Sequence, residues 1–200
     1  MENTKSRAKR SYSNPSMEIV KELPNSLSLS AKGLGFEPFL PFHSEMLVPE
    51  ARIRAFCVED KCGNYGKNYT CPPYVGFVSD IRNRLKAYKN GILFLHTEIL
   101  DVKQDREGVH RTMLDFHERV LELETEALHT GFKRVWGLIG GNCQLCQPCR
   151  AETDEPCLYP DKARMSLESL AIDVLGLLEQ FGLDNQFHPN RITWTGCILF

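Results

Sequence analysis

The chain has 200 residues, enough for one domain with its own core. Its 24 Lys and Arg against 26 Asp and Glu leave a net charge of −2, which gives no electrostatic case for a nucleic-acid partner. No apolar run reaches the roughly 20 residues that cross a bilayer, and the basic start MENTKSRAKR is followed by no apolar signal core, so a cytoplasmic protein without membrane association is expected.

Residues 1–35 are rich in Ser, Asn, Lys and Arg with little apolar periodicity, and read as a flexible lead-in to a domain over 36–200. GLGFEPFLPFHSEMLVPE then reads as an irregular, Pro-rich wrap. ARIRAFC (51–57) alternates as a strand does. VEDKCGNYGKNYTCPPYVGF follows as a loop dense in Gly, Asn, Tyr and Pro. Ser79 or Asp80 caps a helix through IRNRLKAY, and GILFLHTEIL is a buried strand by its continuous apolar run. Met113, Leu114, Val120, Leu121 and Leu128 recur at helical spacing from about Val109 to His129, where Gly131 ends the helix. RVWGLIG is a strand that delivers the chain into a cysteine-rich loop. DKARMSLESLAIDVLGLLEQF reads as a second long amphipathic helix, with Asp161 as its cap, and RITWTGCILF as the closing strand. The alternation predicts an α/β or α+β fold: a single domain whose mixed sheet is packed by two long helices and carries two cysteine-bearing loops.

The eight cysteines are the anomaly. Without an export signal, clustered thiols point to metal or redox chemistry before disulfides. Cys143, Cys146, Cys149 and Cys157 follow C-x2-C-x2-C-x7-C. Three thiols so close suit a cubane iron–sulfur cluster, which offers separate iron corners; zinc more often takes two separated C-x2-C knuckles. Backbone N–H groups in a loop freed by Gly140, Gly141 and Pro148 can point at the sulfurs. The spacing to Cys157 exceeds that of bacterial ferredoxins, so the match to them is partial. Cys57, Cys62 and Cys71 form a second set, C-x4-C-x8-C. They complete the first site or make one of their own, with a position left open. Cys197, in an apolar strand, reads as a small buried hydrophobe. His110 and His117 share a helix face without metal spacing, and His96 at a strand end borders where sites form in open sheets.

CVEDKCGNYGKNYTCPPY, the TGF after the long helix, GGNCQLCQPC and PCLYPDKARMSLESLAIDV stand in this order over residues 50–185. Together they resemble DUF2284, a family of predicted metal-binding proteins of anaerobic bacteria and archaea. The resemblance implies metal or iron–sulfur binding through these cysteines. The chain departs from the family pattern at Met165, Ser169 and Ala171, where Pro, Ala and Gly are common.

The reading is a metal-binding protein holding an iron–sulfur cluster, 4Fe-4S by the cysteine spacing. It serves in electron transfer or an anaerobic redox pathway with a redox protein as partner. Two alternatives stand: a zinc-binding structural or docking module, and an enzyme with an open metal site at the three-cysteine loop.

Overall fold

The computed structural model describes residues 23–200, a single α+β unit. Its centre is a four-stranded sheet in the order β1-β2-β4-β3, formed by β1 (Phe39–His43), β2 (Asn90–Ile99), β3 (Trp136–Leu138) and β4 (Arg191–Leu199). Every pairing in it is antiparallel, so the expected mixed sheet is corrected. The helices are α1 (Asn25–Gly33), α2 (Ala51–Val58), α3 (Val78–Leu85), α4 (Arg106–His129) and α5 (Val174–Gln180). No helix among the described residues is long and apolar enough to cross a membrane.

The long apolar runs of β2 and β4 follow from burial on both sheet faces. Leu93 lies opposite Cys197 in the register, and Phe94 opposite Gly196. On one face Ile92, Phe94 and Ile198 pack against Phe116, Val120 and Leu123 of α4 and Leu27 and Ala31 of α1. On the other, Leu93, Leu95, Leu138 and Cys197 pack against Leu85 of α3, Leu167, Leu170 and Leu177. Cys197 is fully buried, as read, and burial pushes its thiol far up.

Four local expectations change. Residues 51–57 form α2 instead of a strand: Ile53, Ala55 and Cys57 alternate, but Ile53 and Cys57 also fit helical spacing, and seven residues do not separate the two periods. The wrap before it contains β1, hidden by Pro41; β1 pairs only with β2, and an edge strand tolerates a residue without an N–H. The lead-in ends in α1, whose Leu27 and Ala31 are fully buried; residues 1–22 lie outside the described residues.

The second long helix is replaced by turns and the seven-residue α5. Ser166 Oγ accepts from the Ser169 N–H at 3.0 Å and Ser169 Oγ donates to the Ser166 carbonyl at 2.8 Å, which competes with helix. Ala171 then takes φ 64°, and Asp173, not Asp161, caps the helix by accepting from the Gly176 N–H at 3.0 Å.

Candidate metal centre

The first cysteine loop leaves the end of α2. Cys57 is on its last turn, Cys62 lies exposed in the turns that follow, and Cys71 is buried. Gly63 and Gly66 hold φ 71° and 69°, which lets the chain fold back on itself between the thiols. Asp60 fixes the turn by accepting from the Tyr65 N–H at 2.8 Å.

The second loop leaves β3 through Gly140. A side chain there would stand 2.9 Å from the Thr195 carbonyl oxygen of β4, so only glycine lets the chain depart this close to the sheet. Cys143, Cys146 and Cys149 follow, then a 3-10 turn (Arg150–Thr153) and Cys157. All four are half-buried and line one small pocket, shared with Asn68, Tyr69, Thr70 and Tyr159. The Leu145 N–H lowers the Cys143 thiol pKa and the Arg150 N–H that of Cys146, each against a larger rise from burial. Both favour thiolate, as the loop's backbone was expected to do.

Hydrogen bonds join the two loops. Asn68 Nδ2 donates to the Cys143 carbonyl at 2.8 Å, and the Cys143 N–H donates to Thr70 Oγ1 at 3.3 Å. Asn68 Oδ1 in turn accepts from the Thr70 N–H at 3.0 Å and the Thr70 hydroxyl at 2.9 Å. Asn142 Nδ2 donates to Asn64 Oδ1 at 3.0 Å, and the Tyr69 hydroxyl to the Glu155 carbonyl at 2.7 Å. Cys71 is thereby one peptide bond from a residue that touches Cys143.

Electrostatics sets the same picture. Burial, then Cys62 and Cys57, push the Cys71 thiol up to about 12. Burial also raises Cys57, Cys143 and Cys146. Thiolates crowded in this way repel one another, and a bound cation is what makes them stable together. A positive group is already at hand: the half-buried Arg54 of α2 feels Cys57 and Cys71. Its Nη2 donates to the Ser169 carbonyl at 3.0 Å, while its buried Nε has no protein partner. This unmatched N–H lies on a charged side chain that feels both Cys57 and Cys71.

Several charged residues near the loops are engaged elsewhere. Arg150 pairs with Glu155 at 2.9 Å, Arg164 with the buried Glu124 at 2.7 Å, and Lys61 with Glu59 at 2.9 Å. Asp173 meets Arg52 at 2.6 Å. His117 donates Nε2–H to the Lys162 carbonyl at 2.8 Å and is structural. His110 reaches the second loop through Gln147, 3.0 Å away. Residue spacing did not single out Arg54, Asn64, Asn68, Thr70 or Asn142. The one local signal is the Asn68-Tyr69-Thr70 run directly ahead of Cys71, a polar stretch where a loop turns inward.

Compared with known proteins, residues 41–200 match the family model described as Predicted metal-binding protein (DUF2284). No curated protein and no solved structure matches the chain. A match over that length, carrying both cysteine loops and all four strands but β1's first two residues, makes the chain a member of the DUF2284 family of predicted metal-binding proteins.

Proposed function

We propose that the chain is an iron–sulfur protein that carries electrons in an anaerobic redox pathway. Cys143, Cys146, Cys149 and Cys157 hold a 4Fe-4S cluster, and Cys57, Cys62 and Cys71 bind a second metal centre. The observation that carries this reading is that four thiols, Cys143, Cys146, Cys149 and Cys157, line one pocket. Thiolate ligands suit iron–sulfur clusters and zinc alike, and sulfur spacing bears on the choice. A zinc tetrahedron with Zn–S bonds of about 2.3 Å holds its sulfurs about 3.8 Å apart. Among the described residues, the only three such ligand atoms within 4.8 Å of one another belong to no cysteine. A cluster accommodates thiolates that do not all meet at one atom, since each binds its own iron corner. A redox protein is the expected partner.

The unmatched Arg54 Nε favours an enzymatic reading of the three-thiol loop as well. Three thiolates leave one iron corner without a protein ligand, and Arg54 would orient a small anion bound there.

Protein purified without oxygen is expected to be brown and to carry about four iron and four acid-labile sulfide for the first cluster, with more iron from the second centre. Cys143→Ser removes the first portion, and Cys62→Ser lowers only the second. Colourless protein with stoichiometric zinc would overturn the cluster in favour of a zinc module.

A further inference from the structure

His96 and Glu98 are two residues apart on β2 and so point to the same face. That face lies under α4, which brings Asp115 to them. One ligand atom from each of the three lies within 4.8 Å of the other two. No cysteine takes part, and the proposed cluster sites use none of these residues.

His96 is the buried member, its side chain 9% exposed. Its Nδ1 stands 2.9 Å from the Gly35 carbonyl oxygen. A carbonyl only accepts, so Nδ1 carries a proton. Gly35 holds φ 73°, and a side chain there would come within 3.2 Å of the imidazole ring, so glycine permits this approach. In the neutral ring, Nε2 then presents its lone pair to Glu98 Oε1, 3.0 Å away. Two lone pairs do not attract, so a cation belongs between them, either a proton or a metal.

The geometry admits the metal: donors at right angles on an octahedral cation with bonds of about 2.1 Å stand about 3.0 Å apart, and the 3.0 Å between Nε2 and Oε1 suits that as well as a hydrogen bond. A third donor, the Asp115 carboxylate, also converges, which a proton shared by two atoms does not use. The outer contacts follow the pattern of metal ligands, whose far sides are tied to carbonyls or other hydrogen-bonding groups. His96 is tied to Gly35, and Asp115 is held by Arg119 Nε at 2.6 Å, with Arg119 Nη1 anchored on the Leu34 carbonyl at 2.6 Å.

We propose that His96, Glu98 and Asp115 bind one divalent first-row cation at a site separate from the cysteine loops. One imidazole and two carboxylates suit Zn2+, Mn2+ or Fe2+. Three protein ligands leave positions for water or a small anion. The ion would clamp α4 to β2.

Mn2+ tests this, because thiolates bind it poorly. The full chain, purified without oxygen, is titrated with Mn2+ while electron paramagnetic resonance counts the free ion and the unfolding temperature is followed. One saturable Mn2+ per chain is expected, with an unfolding temperature that rises with its concentration. Glu98→Gln and Asp115→Asn, both at partly exposed side chains, each weaken binding at least tenfold. The double variant abolishes binding, and its unfolding temperature no longer rises with Mn2+. If the chain binds no saturable Mn2+, or the double variant binds it as the original does, the proposal fails and His96 and Glu98 form a plain ion pair.

Discussion

Ala171 is fully buried and holds φ 64°, a left-handed conformation that costs a non-glycine residue roughly 1–2 kcal/mol. Its carbonyl accepts from the Glu50 N–H at 2.8 Å, which ties the segment before α5 to the start of α2. Glycine, common there in the resembling family, removes the strain. It gives up a buried methyl worth about 0.8 kcal/mol and adds about 0.4–1 kcal/mol of unfolded-chain entropy. The terms nearly cancel, so Ala171→Gly is expected to shift the urea unfolding free energy by less than about 1 kcal/mol. Ala171→Val adds a β-branched side chain in the same conformation inside a packed core, and should cost more than about 2 kcal/mol. Equal stability of the valine variant would contradict the left-handed backbone. At this scale the cysteines were legible and Arg54 was not. Thiols in a polar loop announce themselves by type, whereas an arginine on a helix looks like any solvated charge until its neighbours are known.

The elements near the site are held by few but buried polar contacts. Asn68 and Thr70 are each 4% exposed and bond to both backbone groups of Cys143. Asn68→Ala leaves the Cys143 carbonyl and the Thr70 N–H without these partners, and an unsatisfied buried group costs about 1–3 kcal/mol. A loss of roughly 2–3 kcal/mol in chemical unfolding is expected, together with lower metal content per chain. Tyr69→Phe removes only the hydroxyl bond to Glu155, near the surface, and should stay within about 1 kcal/mol. Matching losses for the two variants would show that the buried bonds do not hold the loops. Elements with one clear period were legible: α4 by its helical stripe, β2 and β4 by their apolar runs. The segment from Asp161 to Asp173 was not, because Ser166, Ser169 and Ala171 break a pattern that apolar spacing alone suggests.

Across the whole molecule, acidity should weaken the fold through His117. The ring is 1% exposed on α4, and burial lowers its pKa below the ordinary 6.5. Below that value the unfolded chain takes up a proton that the folded chain resists, so the unfolded state binds more protons and stability rises with pH. His117 therefore contributes full stability above about pH 6.5 and loses it as pH falls toward its lowered folded pKa, at no more than about 1.4 kcal/mol per pH unit. Urea midpoints at pH 7.5 and pH 5.5 measure the loss. His117→Gln should show a smaller drop than the original chain, since thiol protonation affects both alike. An equal drop would remove His117 as a source of the acid sensitivity.

The sequence by itself determined the kind of chemistry and the class of fold. Seven thiols in two spaced sets point to metal chemistry, and alternating helical and apolar runs point to an α/β or α+β domain, because residue type and short-range period are written directly in the chain. Only the tertiary structure decided that the four later thiols share one pocket and that the two loops are joined through Asn68 and Thr70. It alone brought Arg54 beside the earlier thiols and Asp115 beside His96. The contacts of Asn68 and Thr70 with Cys143, and of Asp115 with His96, join residues far apart in sequence, and no local pattern encodes them: they follow from which faces of β2, β4 and α4 the core buries.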